Sequence, residues 1–312
     1  MTAPVFDKIA ILGIGLLGSS IAHAVRAYGG ADEVALWDLS EDVRSRASRV
    51  VPGTVVETAH AAVVDANCVI ICTPLGALSE LTETIAASLK PGAILTDVGS
   101  VKSKAATDMA AHCPAGVHLI PGHPIAGTEK SGPEAGFASL FQDAWHILTP
   151  LSDEGADYAG ALDRLIVFWK GLGAKVETMD PVRHDRVLAI TSHLPHLIAY
   201  NIVSTAYDME SVEQGEVVKY SAGGFRDFTR IAASDPTMWR DVFLTNKDAV
   251  LETLGRFSED LAALQRAIRW GDGETLMKEF TRARGIRAAI IDAGLDTPEA
   301  DFGRRQIDPK SE

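Results

Sequence analysis

The chain of 312 residues is poor in cysteine, in aromatic residues and in positive charge. Its three cysteines, Cys68, Cys72 and Cys113, form no CxxC pair and no disulfide framework, which points to a reducing, cytoplasmic setting. Cys68 and Cys72 lie in an apolar run and read as core filling. No stretch of about 18 uninterrupted apolar residues occurs, so no membrane span is expected. The N-terminus lacks the basic-then-apolar order of a signal peptide. Lysine and arginine number 29 against 42 aspartates and glutamates, a formal net charge of −13. That sign repels phosphate backbones, so nucleic acid is not an expected partner. An anionic substrate must instead be met by locally clustered basic side chains.

Apolar residues make up 46% of the chain and charged residues 23%, the balance of a globular protein. The length suggests two domains, and the texture changes once. Up to residue 180, short β-branched runs at 8–13, 33–37, 67–72, 93–97, 117–120, 145–148 and 175–178 alternate with helical stretches such as 19–28 and 159–171. This alternation predicts βαβ units and a doubly wound, mostly parallel sheet, an α/β class domain over 1–180. Beyond Asp180-Pro181 helical patterns take over, predicting an all-α domain over 181–312. There Val250, Leu254, Phe257, Leu261, Leu264 and Ile268 form a heptad-like seam, which fits either internal packing or a homodimer. The tail after Gly294 is polar and is expected to fray.

Gly13-Ile14-Gly15-Leu16-Leu17-Gly18 fits G-x-G-x-x-G. The pattern alone is weak, but here it follows a predicted strand and opens a helix. Gly13 permits a tight turn, Gly15 lets the backbone approach a pyrophosphate, and Gly18 lets helix and strand pack closely. The N–H groups at Leu16 and Leu17 then face the phosphates with the positive end of the helix. Asp38 follows the second strand, 20 residues past Gly18. A carboxylate there accepts from ribose hydroxyls and repels a 2′-phosphate, which favours NAD over NADP. A flavin or nucleotide-sugar site and an empty glycine turn are the competing readings. Thr73-Pro74 and the segment Asp97-Val98-Gly99-Ser100-Val101-Lys102 end two further strands, where a doubly wound fold binds ligands.

Three basic constellations remain. His123 sits in Gly122-His123-Pro124-Ile125-Ala126-Gly127-Thr128-Glu129, a constrained backbone that fixes the angle of an imidazole able to accept a proton. His193 and His196 share one helix face, and Pro195 leaves the Thr191 carbonyl without its helical partner. A substrate-facing histidine is favoured there over a metal site, since a third ligand is lacking, and no metal is expected. Arg226 and Arg230 follow Gly223-Gly224 and suit forked bonds to carboxylates, although a surface ion-pair helix has the same appearance. Asp185 is placed to hold one of these arginines.

Read in order, the glycine turn, Asp97–Lys102, His123–Glu129, His184-Asp185-Arg186, Ser192–His196, Gly223–Arg230 and Ser234-Asp235-Pro236-Thr237-Met238-Trp239-Arg240 resemble the prephenate/arogenate (cyclohexadienyl) dehydrogenase family of tyrosine biosynthesis. The resemblance implies a Rossmann domain, an all-helical dimerisation domain that makes a homodimer, and NAD-dependent oxidative decarboxylation of a small dicarboxylate. Carried over by position, it implies His123 as the catalytic acceptor of the ring-hydroxyl proton and Ser100 as a serine that orients it. His196 and Arg230 then meet the substrate carboxylates, and Glu129 and Trp239 line the pocket. Arg226 stands where other members have lysine. Prephenate is the favoured substrate, with arogenate or dual use as alternatives. A β-hydroxyacid-type dehydrogenase is a rival, but the predicted helix 183–209 has no lysine of the kind those enzymes use. A non-enzymatic NAD sensor leaves the basic motifs idle. Neither a fused chorismate mutase before the first strand nor an appended βαββαβ regulatory domain is expected.

Overall fold

The computed structural model describes residues 4–128, 130–151, 155–210 and 223–292. Strand β1 (Phe6–Leu12) is followed by α1 (Leu16–Tyr28), β2 (Ala31–Trp37), α2 (Glu41–Val50), β3 (Thr54–Val55) and α3 (Ala59–Val63). Then come β4 (Cys68–Ile71), α4 (Leu78–Ile85), β5 (Ile94–Asp97), α5 (Lys102–Ala110) and β6 (His118–Leu119). The six strands form one sheet in the order β3-β2-β1-β4-β5-β6, and every pairing in it is parallel. A central parallel strand is covered on both faces, so the buried part of β1, Ile9–Leu12, is apolar without alternation. In β1, Ile9 and Ile11 enter one core with Ile21, Phe168 and Trp169. Ala10 and Leu12 enter the other with Val69, Ile71 and Met109. The strand order reverses between β1 and β4, and at that crevice a doubly wound sheet receives ligands.

The sequence reading placed 145–148 and 175–178 in this same sheet. They belong instead to a second, three-stranded sheet, β7-β8-β9, formed by Gly122–Pro124, Trp145–Leu148 and Lys175–Thr178. Here β7 runs antiparallel to β8, and β9 runs parallel to it. Pro121, which has no N–H to donate to a ladder, stands between β6 and β7. The chain then starts a new pairing in which His123 lies opposite Ile147. Helix α6 (Ala156–Gly171) connects β8 to β9.

Asp180 opens the helical part. Its carboxylate accepts from the Val182 and Arg183 N–H groups, and Pro181 occupies the first turn, a strong start signal. The predicted helix 183–209 is α7 (Pro181–Leu188), a widened π turn (Ala189–His193) and α8 (Leu194–Glu210). By length and composition the run Pro181–Met209 is apolar enough to cross a membrane. Its first half, however, buries His184, Asp185 and His193 against polar partners. Helices α9 (Gly223–Thr229), α10 (Pro236–Thr245), α11 (Lys247–Trp270) and α12 (Gly273–Asp292) follow.

By compactness the chain divides into Met1–Thr253 and Leu254–Glu312, so the change of texture at residue 180 falls inside the first unit. Of the predicted seam, Val250 is buried, whereas Leu261 and Ile268 are exposed. In the second unit Trp270, Met277, Phe280 and Ile286 are exposed as well.

A Cβ at Gly18 would lie 2.0 Å from the Gly13 carbonyl oxygen and 3.1 Å from the Ile11 side chain, and the Gly13 backbone cannot swing aside. Gly18→Ala is expected to lower stability by about 1–3 kcal/mol. Urea denaturation checks this, and an unchanged midpoint would contradict the close packing of α1 on β1.

Candidate active site

The glycine turn lies at the carboxyl end of β1. Gly13 has φ +102°, and a Cβ there would meet the Cys72 carbonyl at 2.8 Å, so only glycine fits. At Gly15, by contrast, a Cβ would meet nothing within 4 Å. Gly15 is also the N-cap of α1, with no side-chain cap. That combination leaves open space before the positive end of a helix, where Leu16 and Leu17 are half-buried. Asp38 is fixed beside it. One carboxylate oxygen accepts from the Ile14 N–H at 2.8 Å and the other from the Ser40 N–H at 2.9 Å. Each oxygen keeps lone-pair capacity for a diol. Across the crevice the Thr73 hydroxyl is buried and without a partner, next to the exposed Pro74. An open cradle, a held acid and an orphaned hydroxyl at the switch point all fit a dinucleotide.

The second half of the site is a buried polar array. His123 Nδ1 lies 2.9 Å from His184 Nε2, and His184 Nδ1 lies 2.9 Å from Asp185 Oδ1. The Asp185 carboxylate also accepts from the backbone N–H groups of Lys102 (2.7 Å) and Ser103 (2.9 Å) at the start of α5. Burial works to raise the Asp185 carboxyl, but the bonds from His184, Lys102 and Ser103 outweigh it and hold it below its ordinary value. An ionised acid there makes His184 Nδ1 the donor. His184 Nε2 must then accept, His123 Nδ1 must donate, and the lone pair of His123 stands on Nε2. Burial, reinforced by His184, Lys102, His146 and His193, drives the His123 imidazole well below its ordinary value. It is neutral near pH 7, the state of a proton acceptor.

A buried ion pair supports the strand that holds His123. Lys102 Nζ contacts Asp97 Oδ2 at 2.5 Å and the Gly122 carbonyl at 2.7 Å, and both charged side chains are wholly buried. From the other side His146 fills the space a side chain at 122 would need, its Nε2 2.7 Å from the would-be Cβ. The His146 ring stacks on Trp169 at 3.8 Å.

Helices α8 and α10 add the third group. His196 stacks on Trp239 with ring centroids 3.7 Å apart, and its Nδ1 lies 2.9 Å from the Ser192 carbonyl. Burial lowers the His196 pKa, the Ser192 carbonyl opposes this, and the nearby Arg230 charge adds to the lowering. His193 meets Trp239 edge-on, and Asn246 Nδ2 bridges His193 Nδ1 (3.1 Å) and the Asp185 carbonyl (2.9 Å).

Of the residues read from sequence, His123, Asp185, His196, Trp239 and, through His196, Arg230 belong to one connected cluster. Ser100 is half-buried on the turn between β5 and α5, two residues before Lys102. Arg226 is exposed on α9 and stands outside the cluster. Glu129 lies outside the described residues. Asp185 differs from expectation: its oxygens are committed to the α5 N-terminus and His184, so it does not hold an arginine. The sequence reading named His184 and Lys102 only within longer motifs and gave them no role, and it missed His146 and Asn246. A histidine beside an acid in the first turns of a helix was a usable signal for His184. Nothing local marked Asn246. Among the described residues, no group of three or more His, Cys, Asp or Glu is arranged to hold a metal.

A family profile described as prephenate dehydrogenase, nucleotide-binding domain, matches residues 21–178, and one described as prephenate dehydrogenase, dimerization domain, matches residues 180–282. Cyclohexadienyl dehydrogenase of Zymomonas mobilis is 40% identical over 92% of this chain and 97% of its own. Prephenate dehydrogenase of Bacillus subtilis is 33% identical over 91% of this chain and 76% of its own. The crystal structure of prephenate dehydrogenase from Aquifex aeolicus in complex with hydroxyphenyl propionate and NAD+ superposes with a TM-score of 0.83 at 31% identity, covering 93% of this chain and 99% of that one.

The buried histidines make stability sensitive to acid. Burial brings the His193 pKa from 6.5 to about 4 in the folded protein. Between those values the unfolded chain binds the extra proton, so stability falls as pH drops from 6.5 towards 4. Asp185, with its lowered pKa, adds a further loss at more acid pH. Urea midpoints measured at pH 7, 5.5 and 4.5 should decline steadily, and a flat profile would mean His193 is not buried as a neutral ring.

Proposed function

The chain belongs to the prephenate dehydrogenase family, and from that premise we propose that it catalyses the NAD-dependent oxidative decarboxylation of prephenate to 4-hydroxyphenylpyruvate, with arogenate as the alternative or second substrate. The observation that supports this reading most is the array Asp185–His184–His123, which leaves a neutral His123 with its lone pair on Nε2. Gly13, Gly15, Leu16, Leu17 and Gly18 would hold the pyrophosphate. Asp38 would hold the adenosine ribose, and Thr73 and Pro74 would flank the nicotinamide side. The bound dinucleotide supplies the hydride acceptor.

His123 takes the proton of the ring C4 hydroxyl as the C4 hydrogen departs with its electron pair. The ring carboxylate leaves as carbon dioxide, its bonding pair completes the aromatic ring, and the C4 oxygen takes the proton back from His123 as the phenol forms. Ser100 shares the hydroxyl with His123. As the proton arrives, the imidazolium is stabilised through His184 by the Asp185 carboxylate, which stays ionised. Arg230, within electrostatic reach of His196, meets the side-chain carboxylate, with Glu129 as a further lining group; exposed Arg226 has no part in this reading. We place the functional division near residue 180, with nucleotide binding over 1–180 and the substrate wall and dimer contacts over 181–312. The exposed apolar side chains of α11 and α12 favour a homodimer through the helical part, and a small-molecule biosynthetic role favours the cytoplasm.

The test is NADH formation with prephenate and with arogenate, each as sole substrate. The parent protein should turn over at least one, and inactivity with both would end this reading. In the same assay His123→Asn should lower kcat by about 10²- to 10⁴-fold, the usual range for losing a general base, while NAD affinity by calorimetry stays near the parent value. Near-normal turnover would remove His123 from the chemistry. Arg230→Ala should chiefly raise KM for the dicarboxylate, by about 30-fold or more, as expected for loss of a charge partner. An unchanged KM would place the carboxylates elsewhere.

A further inference from the structure

We propose that His193 is a further substrate-binding residue, presenting an Nε2–H donor, whose tautomer Asn246 fixes, to the ring carboxylate that is lost in the reaction. The proposal rests on the functional reading above and deepens it.

The tautomer follows from donors and acceptors alone. A main-chain carbonyl only accepts, so the Asn246 atom 2.9 Å from the Asp185 carbonyl is the amide nitrogen. The same nitrogen lies 3.1 Å from His193 Nδ1. Facing an N–H, Nδ1 must accept, and the single proton of the neutral ring stands on Nε2. That Nε2 is buried and has no hydrogen-bond partner, in a side chain that is 1% exposed. Buried polar atoms are almost always paired, so an orphaned donor in a native site marks the place of a missing acceptor.

The neighbours indicate which acceptor. His193 meets Trp239 edge-on, with ring centroids 6.0 Å apart, and is within electrostatic reach of both His123 and His196. It therefore lies among the groups proposed to take the C4 hydroxyl at one end of the substrate and the side-chain carboxylate at the other. The charged and titratable groups around it are Asp185 and His184 on α7, His196 on α8 and His123 on β7. Burial keeps the ring neutral down to about pH 4. A neutral donor also suits this carboxylate better than a cation does. The negative charge there is consumed as carbon dioxide leaves, so a full positive charge would stabilise the ground state more than the transition state. The side-chain carboxylate survives the reaction, and an arginine can hold it without that cost.

Two ligands separate this role from a structural one. Prephenate has the ring carboxylate, whereas hydroxyphenyl propionate lacks it and keeps the side-chain acid. His193→Leu should raise KM for prephenate about 10- to 100-fold, the range for losing a hydrogen bond to a charged group. Its affinity for hydroxyphenyl propionate in the presence of NAD+ should stay within about twofold of the parent. His193→Gln, which can offer an amide donor, should recover most of the loss. In the parent protein, ¹⁵N NMR of the imidazole should show a bare Nδ1 and a protonated Nε2 at pH 7. A protonated Nδ1, an unchanged KM for prephenate in the leucine variant, or equal loss of both ligands overturns the proposal. If the parent turns over neither prephenate nor arogenate, the functional reading falls and takes this one with it. If it does turn one over, these outcomes judge His193 alone.

Discussion

The Asp185 carboxylate is the constraint on which the site depends. It is buried, yet it is supplied with the Lys102 and Ser103 N–H groups at the start of α5 and with the His184 ring. Two of these partners are orphan donors of a helix N-terminus, which favours negative charge. One group thereby joins the sheet-bearing half to the helical run and sets the proton positions of two imidazoles in succession. The acid never has to touch a ligand to govern what His123 can do. The same residue's main-chain carbonyl orients Asn246, and so the His193 tautomer as well. Side chain and backbone of a single position thus determine which nitrogens donate and which accept in His184, His123 and His193.

Local chemistry made much of the fold legible. The apolar run of β1, the glycines that follow it and the acid after β2 each have a short-range physical cause, and the parallel sheet appears where they indicated. The second sheet was hidden because β7 is three residues long and contains both His123 and Pro124, so it read as a constrained turn. Its pairing with β8 is a long-range choice between a parallel and an antiparallel neighbour, and no residue pattern within 122–124 records it. The π turn at Ala189–His193 was half legible. Pro195 announced a broken ladder, but not that the helix would widen and continue.

Of the candidate site, the residues singled out by type were those with unusual local settings: a histidine among glycine and proline, a histidine pair on one face, an arginine after two glycines. The residues missed or given no role act through tertiary pairing. Lys102 looked like any lysine at the end of a strand motif, and only the fold seals its ammonium between Asp97 and the Gly122 carbonyl. Asp185 was recognised as important but given the wrong partner, because a carboxylate near arginines suggests an ion pair. Helix geometry instead brings it to backbone donors more than eighty positions away in the chain.

The fit between Gly122 and His146 has a consequence for how the family can drift. The imidazole occupies the volume that any β-carbon at 122 would claim, so the two sites are not free to mutate independently. Enlarging 122 first produces a steric overlap directly beside His123. Shrinking 146 first opens a void against Trp169. Either single step is penalised, and the pair is expected to change together across homologues or not at all, making 122 and 146 a covarying couple whose origin is spatial exclusion.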